Sequence, residues 1–164
     1  SSYDRLTPTP HTPDARLQLL LSLLKCTGSK CVIVDPEKHD DITAAISHVP
    51  HIIAATLVNM VREHDTPEGW MKAFAAGGFK DITRIASSSP EMWENICLSN
   101  KDSIDHFLEL YIKSLEDFRQ LLREENNEQL RNTFLEAGTY RNSIPDNISD
   151  KHSDHLTDKK SGAE

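Results

Sequence analysis

His48 and His51 stand three residues apart in Ser47-His48-Val49-Pro50-His51, a spacing that turns both imidazoles toward roughly one side of a helix. A pair placed this way can hydrogen-bond a ligand at a cleft or bind a metal. Metal is the weaker reading, because His-x-Pro-His lacks the acidic partner and the i, i+4 geometry of a zincin. The bland alternative is two buried imidazoles satisfied by backbone carbonyls that Pro50 frees. His39-Asp40-Asp41 holds a His-Asp pair of the kind that helical phosphohydrolases use for metal. In a first helical turn, though, the acids are explained as partners of the helix dipole.

A second group lies downstream, in Gly77-Gly78-Phe79-Lys80-Asp81-Ile82-Thr83-Arg84. The glycine pair lets a backbone take positive φ or come close to a ligand. Lys80 and Arg84 follow at i, i+4 with Asp81 between them. Arg84 offers a planar fork suited to a carboxylate and Lys80 a point charge; a solvated helix face with one internal ion pair uses the same residues. The run is not a nucleotide fingerprint, since no strand precedes it and its spacing is wrong. Trp70, Met92 and Trp93 read as core, or as walls of a pocket for a ring-shaped ligand.

These residues need elements to hold them. Residues 36–65 read as one long helix opened by Asp35-Pro36-Glu37. Its apolar positions (Ile42, Ala45, Ile46, Val49, Ile52, Ile53, Ala54, Leu57, Val58, Val61) cover more than one face. It is therefore expected to be buried nearly all round, against a second subunit as well as its own core. Pro50 predicts a kink or break within it. Thr12-Pro13-Asp14 starts an earlier helix with Thr12 as cap, Leu17, Leu20, Leu21 and Leu24 give it one apolar face, and Thr27-Gly28 stops it. Cys31-Val32-Ile33-Val34 is the only convincing strand, and the residues up to Thr12 read as loop. Thr66-Pro67-Glu68 and Ser89-Pro90-Glu91 open shorter helices. From Lys101 the amphipathic stripe Ile104, Phe107, Leu108, Tyr111, Leu115, Phe118, Leu122 suits a bundle or a partner helix, and Leu130, Phe134 and Leu135 continue it as far as Gly138. Beyond Asn142 the chain is polar and expected to be disordered.

The 164 residues suit one domain, or one with a fragment of another. A net charge of -8 argues against a nucleic-acid surface. Cys26, Cys31 and Cys97 are odd in number, lack metal-type spacing and read as reduced residues of a cytoplasmic protein. No apolar run is expected to reach the roughly 18–20 residues of a bilayer span, so no membrane partner is anticipated.

Asp35-Pro36-Glu37-x-His39-Asp40, Ser47-His48-x-Pro50-His51-x-x-Ala54, the run from Gly77 to Ala86, and Ser89-Pro90-x-Met92-Trp93 occur in this order. Together with Leu6-Thr7-Pro8-Thr9 they resemble the prephenate dehydrogenase family of tyrosine biosynthesis, over roughly residues 6–138. The resemblance implies an oxidoreductase that passes hydride from C4 of prephenate to NAD or NADP while CO2 leaves, giving 4-hydroxyphenylpyruvate. It implies a mainly α fold, a helical bundle dimerisation domain like the C-terminal part of 6-phosphogluconate dehydrogenase, preceded by a residual α/β piece of a dinucleotide-binding domain. The corresponding division is residues 1–35, 36–138 and a polar linker at 139–164. It also implies roles: Arg84 holds a substrate carboxylate, His51 lines the site, Gly77 lets backbone approach the ring and Trp93 forms a wall. Lys80 and Asp81 make an ionic network at the mouth, with His48 and Ser47 in support.

Neither the Gly-x-Gly-x-x-Gly fingerprint nor the family's catalytic His-Pro motif occurs in the sequence. The chain is therefore expected to be the C-terminal portion of such an enzyme, with no catalytic residue or metal ligand of its own. It is expected to bind NAD(P) poorly and not to turn over alone. Tyr140-Arg141-Asn142-Ser143-Ile144-Pro145 looks like the linker to a tyrosine-sensing regulatory domain found in some members. The expected partners are prephenate, its product or tyrosine, and a second copy of the chain. The competing readings are a non-catalytic helical dimerisation module and a metal-dependent helical hydrolase using His39, Asp40, His48 and His51.

Overall fold

The computed structural model describes residues 3–145. The chain divides into two compact units, one of residues 37–117 and one joining the described residues before 37 to those after 117.

In the second of these, strands β1 (Tyr3–Leu6) and β2 (Lys30–Ile33) pair in parallel, Tyr3 opposite Lys30 and Leu6 opposite Ile33, with helix α1 (Asp14–Cys26) between them in sequence. The expectation of a loop before Thr12 and a lone strand after it is thus corrected. Four residues of Tyr-Asp-Arg-Leu are too few to show alternation, and they become a strand because the backbone of β2 needs a partner. The cap of α1 also shifts by one residue. Pro13 is the N-cap, while the Thr12 hydroxyl accepts the Thr9 amide at 3.0 Å instead.

Helices α7 (Lys101–Arg123) and α8 (Asn127–Ser143) share the continuing apolar stripe but are separate. Glu125 turns left-handed at φ 51°, the Asn126 amide donates back to Leu121 O at 3.0 Å, and the Asn126 side chain caps α8 by accepting from the Gln129 amide. Phe118 and Phe134 meet edge-on across this break, ring centroids 6.0 Å apart. Gly138, expected to end the helix, lies inside α8, because one glycine costs a helix only about 1 kcal/mol and nothing there demands a positive φ. Most of the tail expected to be disordered, from residue 146 on, lies outside the described residues.

The unit of residues 37–117 is built on a continuous helix, α2 (Pro36–Thr43), a π turn (Ala44–His48) and α3 (Val49–His64). The helix does not break at Pro50, and a π turn lies just before it. Proline has no amide hydrogen and its ring collides with the carbonyl four residues back, here that of Ile46. Widening the turn by one residue, with the Val49 amide reaching Ala44 O, relieves that collision without breaking the helix. By length and by the composition of its most apolar 18-residue window, mean hydropathy 1.4, this 29-residue helix would suffice to cross a membrane, which corrects the expectation that no run does. Two imidazoles at its middle and a cavity along its face fit a helix packed in protein instead.

The core gathers Ala44 and Val49 against Ile104 near the start of α7, with Ile52, Ile53, Phe107 and Leu108 around them. The long helix is not buried all round within one chain. Ile42, Ile46 and Met60 are exposed, Ile46 at 67%, because one copy has too few elements to cover every face. Beyond α3, Asp65 accepts the amides of Thr66, Met71 and Lys72 and so fastens α4 (Trp70–Ala73). Desolvation pushes the Asp65 carboxyl up, but these three amides and the Lys72 ammonium hold it below its ordinary value. Next come α5 (Gly77–Thr83), a 3-10 turn (Arg84–Ser87) and α6 (Pro90–Ser99), whose Ser89 cap accepts the Met92 amide.

Candidate functional site

Helix α3 turns His51, Ala55 and Asn59 to one side, at helical spacing, and α6 turns Trp93 and Cys97 toward them. With Ile85 just before α6 they line a cavity of about 520 Å³. Its walls are mainly apolar. Thr56 and Ser88 also line it, but their hydroxyls donate to the carbonyls of Ile52 and Ile85, both at 2.8 Å. His51, Asn59, Glu94 and Cys97 are the remaining polar groups.

The Trp93 indole stacks on the His51 ring, centroids 4.0 Å apart and planes 27° from parallel. Behind this stack the Trp93 Nε1–H is buried and meets no acceptor among the described residues. His51 Nδ1 lies 2.9 Å from the carbonyl oxygen of Ser47. A carbonyl only accepts, so Nδ1 carries hydrogen and neutral His51 keeps a bare Nε2. A backbone carbonyl thus satisfies His51 Nδ1, although it is that of Ser47 and not the Ile46 carbonyl four residues before Pro50, and it leaves Nε2 bare.

His48 meets Trp93 edge-on, centroids 6.1 Å apart, and does not line the cavity. Burial lowers its proton affinity, the neighbouring His51 and His39 push the same way, and the Asp40 carboxylate opposes them. Asn100, which nothing in the sequence marked, reaches His48 Nδ1 at 3.2 Å and the Asp40 carbonyl at 2.8 Å. An asparagine at a helix end is common enough to carry no signal, and 52 positions separate it from His48.

The other anticipated residues lie outside the cavity. Arg84 is exposed in the 3-10 turn, immediately before the lining residues Ile85 and Ala86. Lys80 and Asp81 are exposed on α5. Gly77 opens α5 without a positive φ, and a Cβ there would meet nothing within 4 Å, so neither conformation nor crowding requires glycine in this chain. His39 pairs with Asp40 at 3.2 Å. With His48 on Asn100 and His51 on Ser47, the four residues of the hydrolase reading turn to separate partners and do not converge.

Residues 35–136 match the family model described as prephenate dehydrogenase, dimerization domain. The chain is 43% identical over 140 residues to the prephenate dehydrogenase of Bacillus subtilis, covering 85% of this chain and 38% of that protein. Among solved structures it resembles the prephenate dehydrogenase of A. aeolicus in complex with hydroxyphenyl propionate and NAD+, with a TM-score of 0.82, 36% identity, and 87% of this chain and 50% of that one covered. Synechocystis arogenate dehydrogenase is similar too, with a TM-score of 0.78 and 25% identity, over 85% of this chain and 51% of that one. The chain thus spans about half or less of the length of these relatives. Since the helical core, the α3–α6 cleft and more than half of all residues fall within that one family model, the chain belongs to the prephenate dehydrogenase family.

Proposed function

We propose that this chain supplies the substrate pocket and the dimerising helices of a cytoplasmic, NAD- or NADP-dependent prephenate dehydrogenase, catalysing oxidative decarboxylation of prephenate to 4-hydroxyphenylpyruvate. One observation carries the reading. An open imidazole stacked on an indole, in a mainly apolar cavity of about 520 Å³, suits a flat six-membered ring. The ring lies against Trp93 and His51, and the bare Nε2 accepts a hydrogen bond from a ring hydroxyl. Glu94 repels carboxylates from its end of the cleft, so these face the side of Ile85 and Ala86, next to Arg84 in sequence. His48, Lys80 and Asp81 support this arrangement from outside the cavity. Pairing with a second copy covers Ile42, Ile46 and Met60, exposed in one chain.

A dinucleotide would supply the hydride acceptor. The turn between β1 and α1 holds Pro8, Pro10 and Pro13 and no glycine. Those prolines offer no amide hydrogens to a pyrophosphate, so these residues do not fit it and no step through the cofactor is assigned to this chain.

Titrating the chain, in a Trp70→Phe background, with 4-hydroxyphenylpyruvate tests the reading through Trp93 fluorescence. Saturable quenching is expected. Stoichiometric transition metal in the purified protein, with no quenching, would favour the hydrolase. Gly77→Ala separates structure from binding. It is expected to leave stability unchanged or raise it by about 0.5 kcal/mol, through helix propensity. If backbone at Gly77 approaches the ligand, affinity falls several-fold all the same; unchanged affinity removes Gly77 from the site.

A further inference from the structure

We infer that Asn100 is a positioning residue for this site, locking His48 as the neutral Nε2–H tautomer and thereby setting the ring stack that forms the cavity wall. Three contacts carry it. The Asn100 side-chain nitrogen lies 2.8 Å from the backbone oxygen of Asp40. That oxygen only accepts, so the group facing it is the NH2 and the amide cannot be the other way round. The same NH2 lies 3.2 Å from His48 Nδ1. Its second hydrogen points at a nitrogen that must therefore be bare, which puts the ring hydrogen on Nε2. Protonating His48 would set an N–H against an N–H, so the contact selects the neutral ring. Burial and the nearby His51 and His39 act in the same direction, with Asp40 opposed.

The two histidines thus hold opposite tautomers, His48 fixed by a donor and His51 by an acceptor. Between them sits Trp93, edge-on to one ring and stacked on the other. Asn100 also ties the junction of α6 and α7 to the C-terminal part of α2, so it fixes ring and scaffold together.

Long-range 15N–1H spectra of the wild-type chain, with His48 assigned by its loss in His48→Gln, decide the tautomer. A bare Nδ1 and a protonated Nε2 near neutral pH are expected, and a protonated Nδ1 overturns the inference. Asn100→Asp replaces the donor by an acceptor. It is expected to place a proton on His48 Nδ1 and to shift Trp93 emission in the Trp70→Phe background, with the helical circular dichroism retained. A folded Asn100→Asp chain with unchanged His48 nitrogens and emission also overturns it. If that variant does not fold, the wild-type spectrum still decides. A several-fold loss of 4-hydroxyphenylpyruvate affinity in Asn100→Asp rests on the proposed function. Absence of ligand binding in wild type counts against that function, whereas the tautomer counts only for or against Asn100.

Discussion

Replacing Arg84 with alanine in the intact enzyme is expected to raise the KM for prephenate by roughly 30- to 900-fold with a much smaller change in kcat, equivalent to about 2–4 kcal/mol of lost binding. The magnitude depends on burial. Arg84 is exposed in the single chain, and an ion pair left in water is worth only about 0.2–1 kcal/mol, or a factor of about 5 at most. The larger figure requires the ligand, or a neighbouring chain or domain, to close over the guanidinium and exclude water. Arg84→Lys then distinguishes charge from geometry, because lysine keeps the charge and loses the planar fork. A lysine variant close to alanine supports bidentate carboxylate recognition. A KM within about 5-fold of wild type for Arg84→Ala would mean that Arg84 remains in solvent and holds no substrate carboxylate.

Trp93→Ala is expected to lower stability by about 2–3 kcal/mol and to abolish measurable ligand binding. Truncating a core tryptophan typically costs about 3–5 kcal/mol, and Trp93 is only half-buried, which places it at the low end or below. The loss removes the stack on His51 and the wall of the cavity at once. Trp93→Phe behaves differently. Phenylalanine keeps an aromatic face against His51 and discards an indole N–H that meets no acceptor among the described residues, so only about 1 kcal/mol of packing should be lost. Urea unfolding of both variants checks the ordering. Equal, large losses from both would show that Nε1–H has a stabilising acceptor and that the tryptophan acts through its hydrogen bond rather than its face.

The local devices were readable from the residues alone. The starts signalled by Pro36 and Ser89, the long apolar helix and the stripe from Ile104 to Leu122 are written in short windows, because helix caps and helical periodicity act over one to a few turns. His51 and Trp93 were legible as chemistry-bearing types, and the order of the motifs carried the family.

Which of these side chains meet depends on how the elements pack. A one-residue widening at Ala44–His48 turns α2 by roughly 100° relative to α3, and Pro50 alone does not say whether a helix will kink or widen. The pairing of β1 with β2 rests on backbone hydrogen bonds to a distant segment, for which four mixed residues leave no pattern. Asn100 belongs to the site only because two helices bring it against His48 and the Asp40 carbonyl. Arg84, next in sequence to the cavity lining, stays outside it, since adjacent residues on a tight turn point in different directions. Local periodicity selects the elements, while the register at which they pack selects the neighbours, and that register is set by contacts tens of residues apart.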